Sequence, residues 1–369
     1  MAVSIVDHDR RELHRLLAEA FEDASALVGS TAATFRLGGE QIRVRTAGDA
    51  LARPLTRAME HLRVDPAIPA TATIDAWDCT STGRPLPLLV DHLLRLLDRT
   101  WLEDRDLRGE LRAFRDGPIR AAYYGPQLLS VYDVERRAGI YWLRDAAALP
   151  WYEAGAPFRV LVDWIVATPT RQLVHAGAIG GPDGALLLGG AANSGKSTTA
   201  LACLGHPGLR YMSDDYVVVD VTSEPTVSSV YTTGKLKSLD DFDRLEGLRA
   251  LVVNRDGAAR GHGAHPDAEK PMIFVHEFAP ERLALEMPVR AIVFPRYEGL
   301  DECRIESLPS DLAFKLLAPS TIQQLPATGA GALRCIRTLS RRVPAYLLGL
   351  PTDPRKVPDA LVALLAELR

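Results

Sequence analysis

Eight consecutive residues constrain this chain more than any others: Gly190-Ala191-Ala192-Asn193-Ser194-Gly195-Lys196-Ser197. They fit G-x-x-x-x-G-K-[ST] without a mismatch. Gly190 and Gly195 can take backbone angles that a side chain forbids. Successive N–H groups then turn inward and form an anion nest. A helix starting there directs its positive end at the same point. Lys196 supplies a point charge for β and γ phosphates, and Ser197 offers Mg²⁺ the oxygen ligand it prefers. Thr198 follows in the first turn. The flanks agree with this reading. Residues 185–189 form an apolar run suited to a buried strand, and 197–204 place Ala200, Leu201 and Leu204 on one helical face. ATP and Mg²⁺ are therefore the expected ligands, with 190–198 as their cradle.

Downstream, Asp214-Asp215 follows a short strand expected at 210–212 and precedes the apolar run 217–219. Successive side chains of an extended segment point opposite ways, so one carboxylate can face a metal and the other an attacking hydroxyl. Two carboxylates this close repel; a metal or lysine must hold both anions, or one takes up a proton. His175 lies in the apolar stretch Leu173-Val174-His175-Ala176-Gly177. Such a histidine is more often a hydrogen-bonded core residue than a reacting one. Lys235 and Lys237 share strand parity and would face one side, Lys235 being the stronger candidate for a phosphate or carboxylate. Lys270 and Arg296 are further candidates for transition-state charge. His262 and His265, in the glycine-bearing loop 256–270, have no Cys or acidic partner at metal-ligand spacing.

The net charge of −4 gives no global pull toward nucleic acid, and no basic-aromatic interleaving supports such a partner. The most apolar helical stretch, 86–101, is interrupted by Asp91, His92, Arg95, Asp98 and Arg99 and reads as an amphipathic core helix, so no membrane partner is expected. Cys79, Cys203, Cys303 and Cys335 show no metal spacing and read as reduced thiols, and the charged N-terminus lacks an apolar signal core. A cytoplasmic location is the expectation. With 369 residues, two domains fit: an α+β domain over 1–155, suited to substrate recognition, and a catalytic domain over 156–369. In the second, strands are expected at 173–180, 185–189, 216–221, 228–232, 272–275, 283–287 and 291–294. Helices are expected at 158–168, 246–251, 310–317, 329–341 and 358–368.

The stretch from His175 through Gly190–Ser197 to Asp214-Asp215 resembles the catalytic domain of the HPr kinase/phosphorylase family. It is most similar to the divergent serine kinases that tailor ribosomal peptides, lasso peptides among them. The close likeness covers about fifty residues; a looser one runs through 231–236, 293–296 and 317–348. The resemblance implies an α/β P-loop kinase core, a mixed sheet with flanking helices, preceded by the α+β domain. It implies γ-phosphoryl transfer from ATP to a serine of a peptide or protein, with homo-oligomers among relatives. It assigns Asp214 as base, His175 as its neighbour, and Asp215, with Ser197, toward the metal. Two departures stand out. Thr198 replaces a glutamate usual after the loop serine, and 231–237 carries lysines where the phosphorylases carry a carboxylate signature. The alternatives are a kinase of a sugar or hydroxy acid, and a nucleotide-binding regulatory module without transfer activity.

Overall fold

A computed structural model describes residues 7–99, 109–124, 127–245, 247–258, 269–325 and 329–368. The protein is a mixed α/β chain of two compact units. One comprises the chain to Val166 together with 323–325, and the other holds 167–322 and 329–368. The division thus falls beyond residue 155, because the helix Arg159–Val166 is buried along its length within the first unit.

Among the described residues the first unit carries seven strands: β1 Ser30–Leu37, β2 Glu40–Ala47, β3 Arg63–Val64, β4 Ala72–Asp78, β5 Ile119–Tyr124, β6 Leu128–Asp133 and β7 Ala138–Leu143. Their order is β3-β1-β2-β4-β7-β6-β5, parallel only at β2–β4 and β4–β7. Leu13, Leu17, Phe21 and Ala24 recur at helical spacing along Asp7–Val28 and bury against Trp77, Ile140 and Trp142 of the sheet. The helical stretch expected over 86–101 is described at Leu88–Arg99; residues 100 and 101 lie outside the described residues.

The second unit holds β8 Arg171–Val174, β9 Gly177–Gly181, β10 Gly184–Leu188, β11 Arg210–Ser213, β12 Val217–Asp220, β13 Thr226–Ser229, β14 Thr233–Lys235, β15 Met272–Phe274, β16 Glu286–Leu300, β17 Arg304–Leu308 and β18 Ala345–Pro351. Nine of them form one sheet, β11-β9-β10-β16-β13-β12-β8, with β18 beside β16 and β17 beside β18; β14 and β15 pair separately. Strand alternation in β10 builds two cores. Leu186 and Leu188 pack with Ala200, Leu201 and Leu361 on one face. Ala185 and Leu187 pack with Met212, Ile292, Leu317 and Ile336 on the other. Each fully buried leucine here contributes about 2 kcal/mol.

Several expectations change. The single strand at 173–180 is two, broken at His175-Ala176, where the chain leaves its pairing with β12 and joins β10 and β11. The strands expected at 283–287 and 291–294 are one, β16, whose start pairs β13 and whose middle runs parallel to β10 and β18. Helix 310–317 continues to Gln324 through Pro319, and 248–251 is a 3₁₀ turn. The loop at 256–270 opens on one helical turn, Arg255–Ala258; His262 and His265 lie outside the described residues. The four cysteines are free. Among the described residues no helix is long and apolar enough to cross a membrane.

Candidate functional site

The loop at 189–195 leaves the carboxyl end of β10 and enters the helix Lys196–Ala202. Gly190 and Gly195 hold φ of +126° and +107°. A Cβ on Gly190 would come within 2.9 Å of Ser194 Oγ, and one on Gly195 would run into Leu350 Cδ1. Asn193 is also left-handed, at +62°, a conformation asparagine tolerates better than most residues. Between these turns Ala191, Ala192 and Asn193 are exposed, while Ser194, Ser197 and Thr198 are half-buried. Lys196 is buried, and its Nζ donates to the carbonyls of Gly190 and Ala191, both at 2.9 Å. The ammonium thus closes the loop on itself. Burial pulls its pKa down, against the attraction of Asp215 and Asp214.

Beyond β11, the two aspartates part company. Asp214 is wholly buried, its Oδ2 accepting from the backbone N–H of Lys235 at 2.9 Å. Burial, reinforced by the Asp215 anion, raises its pKa to about 7, although Lys235 and the Ser197 hydroxyl favour the charged form. Ser197 is close enough to act on it, yet Asp214 Oδ1 has no hydrogen-bond partner within bonding geometry among the described residues. Asp215 is 27% exposed and forms an ion pair with the buried Lys235 Nζ. Burial raises this carboxyl too, but Lys235, then His175 and Lys196, outweigh it and hold it well below the usual carboxylate range. The same pairing lifts Lys235 against the downward pull of its own burial.

His175 sits at the break between β8 and β9. Its Nε2 is 3.9 Å from Asp215 Oδ1, and its ring lies 5.3 Å from that of Tyr216. The break is fastened from behind: His175 N–H donates to Thr321 Oγ1 at 3.1 Å, and Ser320 Oγ donates to the His175 carbonyl. Gly177 makes the turn feasible, because a Cβ there would press to 2.9 Å from the Asp214 carbonyl. The structure therefore brings Lys196, Ser197, Asp214, Asp215, Lys235 and His175 into one electrostatic cluster.

Two expected cations behave differently. Lys237 is exposed, since β14 ends at Lys235 and strand parity does not carry past it. Arg296 is 59% exposed and bonded to Glu298, which also holds Arg304; no described contact joins it to the carboxylates. Lys270 acts electrostatically on Lys196. Thr321, Ser320 and Tyr216 were not singled out in the sequence, which gives no local sign that a helix more than a hundred residues away secures His175.

Fold and site together define a mixed α/β protein with a glycine-turned loop facing a lysine-held carboxylate pair. No family model matches the chain, and no curated protein matches it. Among solved structures it is similar to the Hpr(Ser) kinase/phosphatase from Coxiella burnetii, at 14% identity, over 53% of this chain and 95% of that one, with a TM-score of 0.28. A superposition this loose leaves the chemistry to be read from the side chains themselves.

Proposed function

We propose that the chain is an ATP-dependent kinase that transfers the γ-phosphoryl group to a serine hydroxyl of a peptide or protein, a ribosomal natural-product precursor being the acceptor class. One observation carries the reading: adjacent carboxylates, Asp214 buried on the Lys235 N–H and Asp215 ion-paired with the Lys235 ammonium, beside the loop's own lysine and serine. Phosphoryl transfer asks a protein for positioning and charge, both of which this cluster supplies.

The burial of the two aspartates favours exchanging the roles that the family resemblance implied. Asp214, buried beside Ser197 with Oδ1 unpartnered, suits the metal. Asp215, ionised and partly exposed, suits the hydroxyl. The donor set fits Mg²⁺: Ser197 and Asp214 would hold it through two hard oxygens. When bound, Mg²⁺ offsets charge on the β and γ oxygens. Among the described residues no three His, Cys, Asp or Glu side chains group as a metal centre.

The loop and Lys196 hold the phosphates. Asp215 accepts a hydrogen bond from the serine hydroxyl and fixes its line of attack. The serine Oγ–P bond forms as the bond from Pγ to the bridging oxygen breaks, and the hydroxyl proton passes to Asp215 with His175 next in line. Lys235 keeps Asp215 anionic until then. Acceptor recognition we assign to the first unit.

Incubation with MgATP and candidate serine peptides, read by intact mass, tests this. One added phosphoryl group is expected, lost in Lys196→Ala and reduced at least about a hundredfold in Asp215→Asn. A sugar or hydroxy acid that gains the group while every peptide stays unmodified would move the acceptor to small molecules.

A further inference from the structure

The helix Lys196–Ala202 carries the phosphate loop at one end and a separate cleft at the other. That cleft measures about 420 Å³, within the range of small-molecule sites. Leu201, Leu204, Leu248, Phe278 and Pro358 give it an apolar lining. Leu248 and Phe278 pack against the core around Leu201 but stay half-buried. Backbone bonds keep them there: Leu248 N–H donates to the Leu245 carbonyl at 3.2 Å, and Phe278 N–H to the Val275 carbonyl at 3.3 Å. The cleft thus holds apolar surface in water, and a fitting apolar group would remove it. None of these residues belongs to the phosphate loop or the carboxylate cluster, and the proposed function gives the cleft no task.

The charged side chains around the cleft differ in how far they are already matched. His206 Nδ1 accepts from Gly208 N–H at 3.1 Å, so the neutral ring carries its hydrogen on Nε2, 3.4 Å from Asp359 Oδ1. Arg355 is held by Asp353 at 2.8 Å and is 72% exposed. Glu281 is exposed to water. Arg282 is different. It is half-buried and closes the 3₁₀ turn Pro280–Arg282. Its guanidinium makes one long bond, to the His206 carbonyl at 3.4 Å, and no carboxylate pairs with it among the described residues. A guanidinium so placed keeps most of its five donors for an anion with two oxygens. The carboxylates of Glu281 and Asp359 at the same cleft disfavour a dianion such as phosphate, so a single negative charge is the match. We infer that this cleft binds a small amphipathic carboxylate, with its hydrocarbon chain or ring against Leu201, Leu204 and Phe278 and its carboxylate on Arg282. The inference stands apart from the proposed function.

Titration calorimetry on the full chain with octanoate, octanol and octylamine tests this, since the three share a chain and differ in charge. Wild type should bind octanoate at least about tenfold more tightly than either of the others. Arg282→Gln should bring octanoate down to the octanol level and leave octanol unchanged. Ala202→Trp, which fills the cleft from the helix side, should abolish both. Lys196→Ala should bind octanoate as wild type does, so failure of the kinase reading would leave this site standing. Absence of octanoate binding, equal affinity for the three compounds, or full octanoate affinity in Arg282→Gln would overturn the carboxylate site. So would a fall in molar mass by sedimentation when octanoate is added, which would make the cleft the seat of a second copy of the chain. Melting curves check that each variant folds; should Ala202→Trp fail, Arg282→Gln, which removes a single long bond, decides alone.

Discussion

At Asp214, burial and the Asp215 anion push the carboxyl up to about 7, and Lys235 and Ser197 pull it back only in part. An unfolded aspartate titrates near about 3.9. Between those values the folded chain holds a proton that the unfolded chain has released, so this group's contribution to stability is full below about pH 3.9 and lost as pH rises through about 7. Metal binding runs the other way, since only the anion ligates. Melting curves from about pH 5 to about pH 8 should show wild type losing stability relative to Asp214→Asn as pH rises, with MgATP narrowing the gap at the upper end. Parallel curves for the two proteins, with and without MgATP, would remove Asp214 from the metal. Asp215 has the opposite sign: its pKa is depressed, so its contribution is present above the unfolded value and lost as pH falls below it. These opposed slopes were not readable in the sequence. Strand alternation would turn two adjacent aspartates apart, yet both reach Lys235, Asp214 its backbone N–H and Asp215 its ammonium, on a strand twenty-one residues on.

The strand–loop–helix element was the most legible part of the chain, because its glycines encode the backbone they need within eight residues. Gly195 shows why: at φ +107° and against Leu350, it has neither the torsional nor the steric room for a side chain. Gly195→Ala should therefore lower stability by about 1–3 kcal/mol and reduce MgATP affinity at least about tenfold, by chemical denaturation and calorimetry respectively. Near-native affinity would mean that the loop is not shaped for phosphate. Elements defined by distant partners were harder to read. The break at His175 leaves no compositional mark, since both strands beside it are apolar and only their partners differ. β5 and β17 were missed for the same reason: each is a short strand identified by its neighbour. The Arg296–Glu298 pair was visible in principle, as two opposite charges at strand spacing share a face.

Across the whole molecule, the residues of the carboxylate cluster all come from the second unit, which has its own two cores. The first unit has a separate core around Phe21, Trp77 and Trp142, and among its described residues it contributes none of the proposed phosphate chemistry. It does present Leu88 and Leu89, 88% and 70% exposed, at the start of an amphipathic helix. Units with independent cores can fold alone, and binding energy from remote parts of a substrate is what positions its reacting group. A fragment beginning at residue 167 should then melt in one cooperative transition and bind MgATP within about threefold of the full chain. Phosphoryl transfer to the serine peptide should fall at least about a hundredfold, because the hydroxyl is no longer delivered to Asp215. Calorimetry and intact mass on the same preparation separate these outcomes. If the fragment phosphorylates the peptide as fast as the full chain, acceptor recognition belongs to the second unit, and the first must be given another role.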